Sequence, residues 1–236
     1  MKIYSEALQK FKLAANGHGV VQPPEEHRAR IGRYFDPLPI WYMPLEESIV
    51  DTEQFPLHAL TQRPMQMYHS WGSQNAWLRQ ITGSNQLYIS RHKGEALGIE
   101  SGDWVWVISH NGRIKVQAAL MDGVNKDTVW TWNAIGKRSG AWNLAPDAGE
   151  AKKGFLLNHL ISELLPEQGD GYRYSNSDPL TGQAAWFDLR VRIEKADPAQ
   201  ARESFPQFEP TARPPGMERP PRVLRYGREF RQGRGK

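Results

Sequence analysis

Two β-type runs joined by Asn-Gly constrain this chain more than any other feature. Residues 104–108 alternate Trp and Val and end on Ile, and residues 113–120 (Arg-Ile-Lys-Val-Gln-Ala-Ala-Leu) carry apolar side chains at every second position. His110-Asn-Gly-Arg113 lies between them. An Asn-Gly turn between such runs predicts a hairpin. Upstream, the stretch opening at Glu95 begins as a short helix, and Gly102-Asp103 pins the turn into the first strand. Such a unit builds a small β-barrel that holds a ligand or partner, not a self-contained catalytic centre.

The composition agrees with a compact core carrying long ends. Apolar residues make up 39% of the 236, while 9 Trp and 17 Pro are both high. Trp buries much area per residue, and Pro interrupts regular ladders. The net charge of +4 is uneven, because residues 211–236 hold seven Arg and one Lys against two Glu. That tail carries +6, leaving −2 on the other 210 residues. The chain has no cysteine, so it forms no disulfide and offers neither a cysteine nucleophile nor cysteine metal ligands. No apolar run approaches the length of a membrane span, and residues 1–16 lack the apolar core of a signal peptide. A cytoplasmic protein is expected, with membrane association only through partner subunits.

Along the chain, residues 1–54 read as a Pro- and Gly-punctuated arm, extended apart from a short amphipathic element at its start. Strands are expected at Phe55–Thr61, Leu87–Ser90, 103–109, 113–120, Thr128–Trp132 and Ala185–Ile193, with short helices at Gln74–Ile81 and Arg91–Leu97. Phe155, Leu157, Leu160, Ile161 and Leu164 are spaced for one face of a helix over 149–165, which Pro166 would stop. About six short strands with intervening helices and no βαβ rhythm argue for a barrel, not a doubly wound sheet. The tail from 196 to 236 is Pro- and Arg-rich.

Three segments gather polar side chains. The first, 61–79, packs Arg63, His69, Ser70, Ser73, Gln74, Asn75 and Arg79 into one strand-to-helix connection. There Gly72 permits close approach, and Ser73 is the expected N-cap. Uncharged donors, a His and two Arg suit a ligand with phosphates and a polar heterocycle; a capped helix with surface polar residues fits the same segment. The second segment, Trp130–Trp142, ends a strand in a loop with Asn133, Gly136, Lys137 and Arg138. A phosphate or a planar ring could sit there, as could plain Trp packing. The third, Asn176-Ser-Asp-Pro-Leu-Thr-Gly-Gln183, forms a tight turn rich in donors and acceptors.

Conventional active sites find no support. The seven His do not form a metal-ligand pair on a helix, and no nucleophile elbow, dinucleotide fingerprint or Walker loop is present. Neither catalytic nor metal-ligating residues are expected on this chain. The Arg-rich tail could dock an acidic protein surface or a phosphate backbone, but no nucleic-acid module precedes it.

Taken in order, Thr61-Gln-Arg-Pro64, Tyr68-His-Ser-Trp-Gly-Ser-Gln-Asn-Ala-Trp-Leu78, Ala96–Asp103, Asn158 and Asp178–Gln183 resemble one family. It is the C-terminal, molybdopterin-dinucleotide-binding part of molybdenum and tungsten oxidoreductases of the dimethyl-sulfoxide-reductase superfamily. The Tyr68–Leu78 stretch is most similar to catalytic subunits of membrane-associated sulfite dehydrogenases, with thiosulfate and polysulfide reductases as relatives.

The resemblance implies a mainly β fold: a six-stranded double-psi β-barrel over residues 55–195, with inserted short helices and long irregular arms at 1–54 and 196–236. It implies that loops wrap the pterin and guanine-nucleotide parts of a bis-molybdopterin guanine dinucleotide carrying Mo or W. Arg63, His69, Ser70, Trp71 and Asn75 would meet the cofactor from the first loop. Trp132, Asn133 and Gly136 would line the second, and Asn158, Asn176, Thr181 and Gln183 would close the site. The resemblance also implies an iron–sulfur cluster on an N-terminal portion that this chain lacks. The chain is therefore expected to be a C-terminal fragment, a split subunit or a truncated gene product that does not turn over substrate alone. Its expected partners are those remaining domains, a membrane anchor subunit, plus an iron–sulfur electron-transfer subunit, with no nucleic acid. The alternative is a non-enzymatic double-psi barrel that binds a protein or nucleic acid through its basic tail.

Overall fold

A computed structural model describes residues 3–39, 41, 43–133, 135, 154–166, 172–173, 175–178, 180–185, 188–200, 209–210 and 222–223. The strands are β1 (Leu57–Gln62), β2 (Leu87–Ser90), β3 (Trp104–Ile108), β4 (Gly112–Met121), β5 (Thr128–Trp132), β6 (Tyr172–Arg173), β7 (Arg190–Lys195), β8 (Glu209–Pro210) and β9 (Arg222–Val223). The helices are α1 (Glu6–Ala15), α2 (Glu25–Tyr34), α3 (Leu45–Ile49), α4 (Ala76–Ile81) and α5 (Arg91–Ala96). The chain divides into two compact units: 1–49 with 163–185 and 219–236, and 50–162 with 186–218.

The second unit contains the barrel. Its order runs β2-β5-β1-β7-β3-β4, and β4 pairs back onto β2, so the six strands close. Closure leaves no unpaired barrel edge. Two pairs, β1/β5 and β2/β4, are parallel, and the other four are antiparallel, as expected of a double-psi barrel. Inward positions follow the period of two: Leu57 and Ala59 on β1, Val105 and Val107 on β3, and Ile114, Val116 and Ala118 on β4 are buried in one core. Along and just before β7, Leu189, Val191 and Ile193 alternate in the same way and are all buried. Arg190 is buried as well, and its Nη1 donates to the Pro56 carbonyl at 3.4 Å.

The Asn-Gly hairpin forms in the expected place, with Trp104 opposite Gln117 and Ile108 opposite Arg113. Ser109 organises its turn. Ser109 N donates to the Gly112 carbonyl at 2.8 Å, and Ser109 Oγ accepts from Asn111 N at 3.1 Å and Gly112 N at 3.3 Å. At the other end, Gly102 has φ +96°, a conformation that favours glycine. Asp103 accepts from Glu100 N at 2.9 Å and pairs with Lys195 Nζ at 2.7 Å. The Glu100 N–H foremost, then Lys195, hold the Asp103 carboxyl below its ordinary range.

Two expectations are corrected. Residues 154–165 do not form the expected helix; they run extended around one 3₁₀ turn at Leu157–Leu160. Residues 149–153 of that expectation lie outside the described residues. Phe155, Leu157 and Leu160 still enter the core. Helical spacing misleads here because side chains from the barrel take the carbonyls that a helix would use: Asn85 Nδ2 donates to Phe155 O and Ser109 Oγ to Leu160 O. The N-terminal arm is not merely extended either. In the first unit α1 and α2 are ten residues each, and Pro24 stands at the N-cap of α2. The prolines read as breakers thus mark a helix start, where a missing N–H costs nothing. Phe11 meets Phe35 edge-on at 5.7 Å, and Lys12 pairs with Asp36 at 2.9 Å.

Candidate cofactor-binding site

Strand direction places the loops of the second unit. β1 and β5 are parallel, so their C-terminal ends open at one end of the barrel. β2 is antiparallel to β5, so the residues just before β2 reach that same end. The loop after β1, the loop after β5 and Asn85 therefore converge.

The loop after β1 carries the first polar segment. His69–Gln74 forms a 3₁₀ turn, followed directly by α4. The N-cap of α4 is Asn75, whose Oδ1 accepts from Trp77 N at 3.0 Å, not Ser73 as expected. Ser73 is fully buried inside the 3₁₀ turn, and its carbonyl accepts from Arg79 Nη1 at 2.9 Å. His69 has φ +48°, a left-handed conformation seldom adopted by residues other than glycine. That backbone sets its ring against the second loop: His69 Nδ1 lies 3.2 Å from Asn133 Nδ2. Asn133 N donates to the Gln62 carbonyl at 2.9 Å, tying the second loop to the end of β1.

Two buried acceptors at this barrel end have no hydrogen-bond partner among the described residues: Asn133 Oδ1 and Thr61 Oγ1. A buried acceptor left without a donor costs about 1–3 kcal/mol, so a ligand N–H or O–H here would be favoured. The rim offers Arg63, exposed, with its guanidinium 6.0 Å from the Tyr68 ring. Trp71 is exposed and meets Tyr68 edge-on. Trp132 packs edge-on against Trp130 at 4.7 Å, and Trp130 stacks on Tyr88 at 4.1 Å. Trp132 also borders Met67 and Ile135. Among the described residues these groups form a face with an aromatic wall, neutral amide and hydroxyl acceptors and the exposed Arg63 cation. It suits a planar polar heterocycle with an attached phosphate, and so the residues fit a pterin dinucleotide.

Asn158 is exposed on the 3₁₀ turn at Leu157–Leu160. In the first unit, Asn176 is buried and its backbone bonds Glu163 O and Ala185 N. Thr181 and Gln183 are exposed in the turn after it. Thr181 is occupied structurally: its N and Oγ1 both donate to Asp178 Oδ1, which also accepts from Leu180 N. Burial pushes the Asp178 carboxyl up, but these hydrogen bonds outweigh it and hold it low. Gly136 lies outside the described residues, as does the side chain of Ser70. The structure thus joins His69 directly to Asn133, whereas Asn176, Thr181 and Gln183 share a turn of the other unit.

Sequence reasoning missed two residues. Thr61 occupies an inward position after Leu57 and Ala59, so a polar side chain on the core face of a strand was the available signal. Asn85 had no such signal, since Gly83-Ser-Asn85 reads as an ordinary polar loop. Yet Asn85 is buried, and its side chain holds the loop after β5 at Trp132 and Ile135 together with the later segment at Phe155.

Comparison with known proteins identifies the family. The model of the Molydopterin dinucleotide binding domain family matches residues 57–176. The chain belongs to this family. A molybdopterin cofactor is accordingly the ligand class of the domain. A sulfite dehydrogenase subunit of Allochromatium vinosum is 56% identical over 220 residues, 93% of this chain and 23% of that protein. Dopamine dehydroxylase of Eggerthella lenta is 29% identical over 62% of the chain and 13% of its own length. A tetrathionate reductase subunit of Archaeoglobus fulgidus is 34% identical over 40% of the chain and 8% of its own length. The chain thus spans less than a quarter of the curated relatives it matches.

Proposed function

We propose that this chain supplies the dinucleotide-binding portion of a molybdenum oxidoreductase that acts on a sulfur oxyanion such as sulfite. The observation that carries this is the 56% identity to a sulfite dehydrogenase subunit over 93% of the chain. The cofactor is bis-molybdopterin guanine dinucleotide, with Mo or W at its centre. When bound, that metal supplies the redox chemistry, and the protein supplies position and electrostatics.

The roles of the chain's residues follow from their chemistry. Asn133 Oδ1 and Thr61 Oγ1 accept from N–H or O–H groups of the heterocycle, and Asn133 is steadied by His69. Arg63 meets a pyrophosphate oxygen from the rim. Trp71 and Trp132 shield planar rings from water. Ser70, Asn75, Gly136 and Asn158 add further contacts, and Asn176, Thr181 and Gln183 contribute cofactor contacts of their own. The partners are the remaining catalytic domains with their iron–sulfur cluster, a membrane anchor subunit, plus an iron–sulfur electron-transfer subunit.

Co-expression with those domains tests the reading through molybdenum and released guanine. Both should accompany the complex and fall together on Asn133→Ala. A correctly assembled complex holding neither would sink the proposal.

A further inference from the structure

We infer that Asn85 is a positioning residue that couples the two cofactor-facing loops after β5, so that Asn133 and Asn158 are presented together. The inference rests on the cofactor reading above. Asn85 is 2% exposed and lies just before β2. Its Nδ2 donates to Ile135 O at 2.8 Å, Trp132 O at 2.9 Å and Phe155 O at 3.1 Å. Two hydrogens serve three carbonyls, so one is shared. Its Oδ1 accepts from Thr131 Oγ1 at 2.8 Å and Trp132 N at 3.3 Å. With carbonyls on one side and donors on the other, the network itself settles which end of the amide is nitrogen.

The bonds to Trp132 and Ile135 bracket Asn133. The bond to Phe155 holds the chain three residues before Asn158. A second clamp completes the hold: Ser109 Oγ donates to Leu160 O at 2.8 Å, and Asn111 Nδ2 lies 3.5 Å from His159 O and from Ile161 O. The segment 155–161 is thus fixed to the barrel at both ends. Asn85 is the group that fixes it to the same point as the loop bearing Asn133. A buried network that is fully satisfied holds one arrangement, whereas a partly satisfied one loosens throughout.

The test uses the full chain and two variants. Asn85→Asp keeps the acceptor side and turns a carboxylate toward three carbonyls, and Thr131→Val removes one bond onto Oδ1. Hydrogen exchange is read on the cofactor-free chain, and affinity is read with purified molybdopterin guanine dinucleotide. Asn85→Asp should speed exchange at 132–135 and 155–161 together while β3 and β4 stay protected. It should weaken binding by roughly tenfold or more, and Thr131→Val by less. In the unaltered background Asn133→Ala and Asn158→Ala should be non-additive in affinity, and they should become independent beside Asn85→Asp. Purely structural support would not change that coupling. An unaltered chain that fails to bind overturns the cofactor reading itself. If the unaltered chain binds and the Asn85→Asp chain binds equally well, or only one segment loosens, this inference alone falls. Should Asn85→Asp not fold, Thr131→Val decides: unchanged exchange in both segments overturns the inference.

Discussion

Ser109→Ala should be far more damaging than its place in a surface hairpin suggests. Ser109 is fully buried, and one hydroxyl performs three tasks. It donates to Leu160 O at 2.8 Å and accepts from Asn111 N at 3.1 Å and Gly112 N at 3.3 Å. Removing it loses a hydrogen bond worth about 1 kcal/mol net. It also leaves Leu160 O and the buried Gly112 N short of a partner, at about 1 kcal/mol or more each. The Asn111 N–H is partly exposed, so water replaces its acceptor at little cost. The sum is about 3 kcal/mol, a large share of the roughly 5–15 kcal/mol by which domains are stable. Asn111→Ala provides the comparison. Its side-chain contacts sit at 3.5 Å, the outer limit of a hydrogen bond, so it should cost no more than about 0.5 kcal/mol. Urea denaturation monitored by Trp fluorescence measures both, and hydrogen exchange at 157–161 locates the effect. Equal losses for the two variants, or a Ser109→Ala loss below about 0.5 kcal/mol, would refute the reasoning.

Three further outcomes are expected. A Cβ on Gly94 would come within 2.2 Å of Leu120 Cδ2; Gly94→Ala should therefore cost roughly 1–2 kcal/mol in thermal or urea unfolding, and Leu120→Val should recover part of it. The Asp103 carboxyl is held low in the fold, so its stabilisation is present at neutral pH and lost as pH falls through the acid range. Asp103→Asn should accordingly destabilise at pH 7 and converge with the unaltered chain in acid, as followed by unfolding across pH. Thr61→Val removes a buried hydroxyl with no described partner, so the free chain should be unchanged or more stable by up to about 1 kcal/mol. Affinity for molybdopterin dinucleotide should fall in the same variant.

The barrel was legible in the sequence because period-two patterning and turn residues act locally. Leu87–Ser90 and Thr128–Trp132 have the bounds that their composition indicates, and the hairpin forms around Asn111-Gly112. The strap at 154–165 was not legible. Its apolar spacing suits a helix, and only three distant side chains, Asn85, Ser109 and Asn111, make an extended path satisfactory for the backbone. The site divides along the same line. Polar clusters in 61–79 and 130–142 announced themselves by composition, but the pairing of His69 with Asn133 depends on two strands being parallel. The role of Asn85 depends on partners as many as 70 residues away, which no local pattern encodes.

The central claim is that one barrel end, lined by the loops after β1 and β5, receives the pterin dinucleotide. Hydrogen exchange on the full chain, with and without purified molybdopterin guanine dinucleotide, tests it most directly. Saturation should slow exchange at 61–75 and 132–135 and leave the outer face of β3 and β4 unchanged. Binding that protects β3 and β4 while 61–75 and 132–135 exchange as before would contradict it.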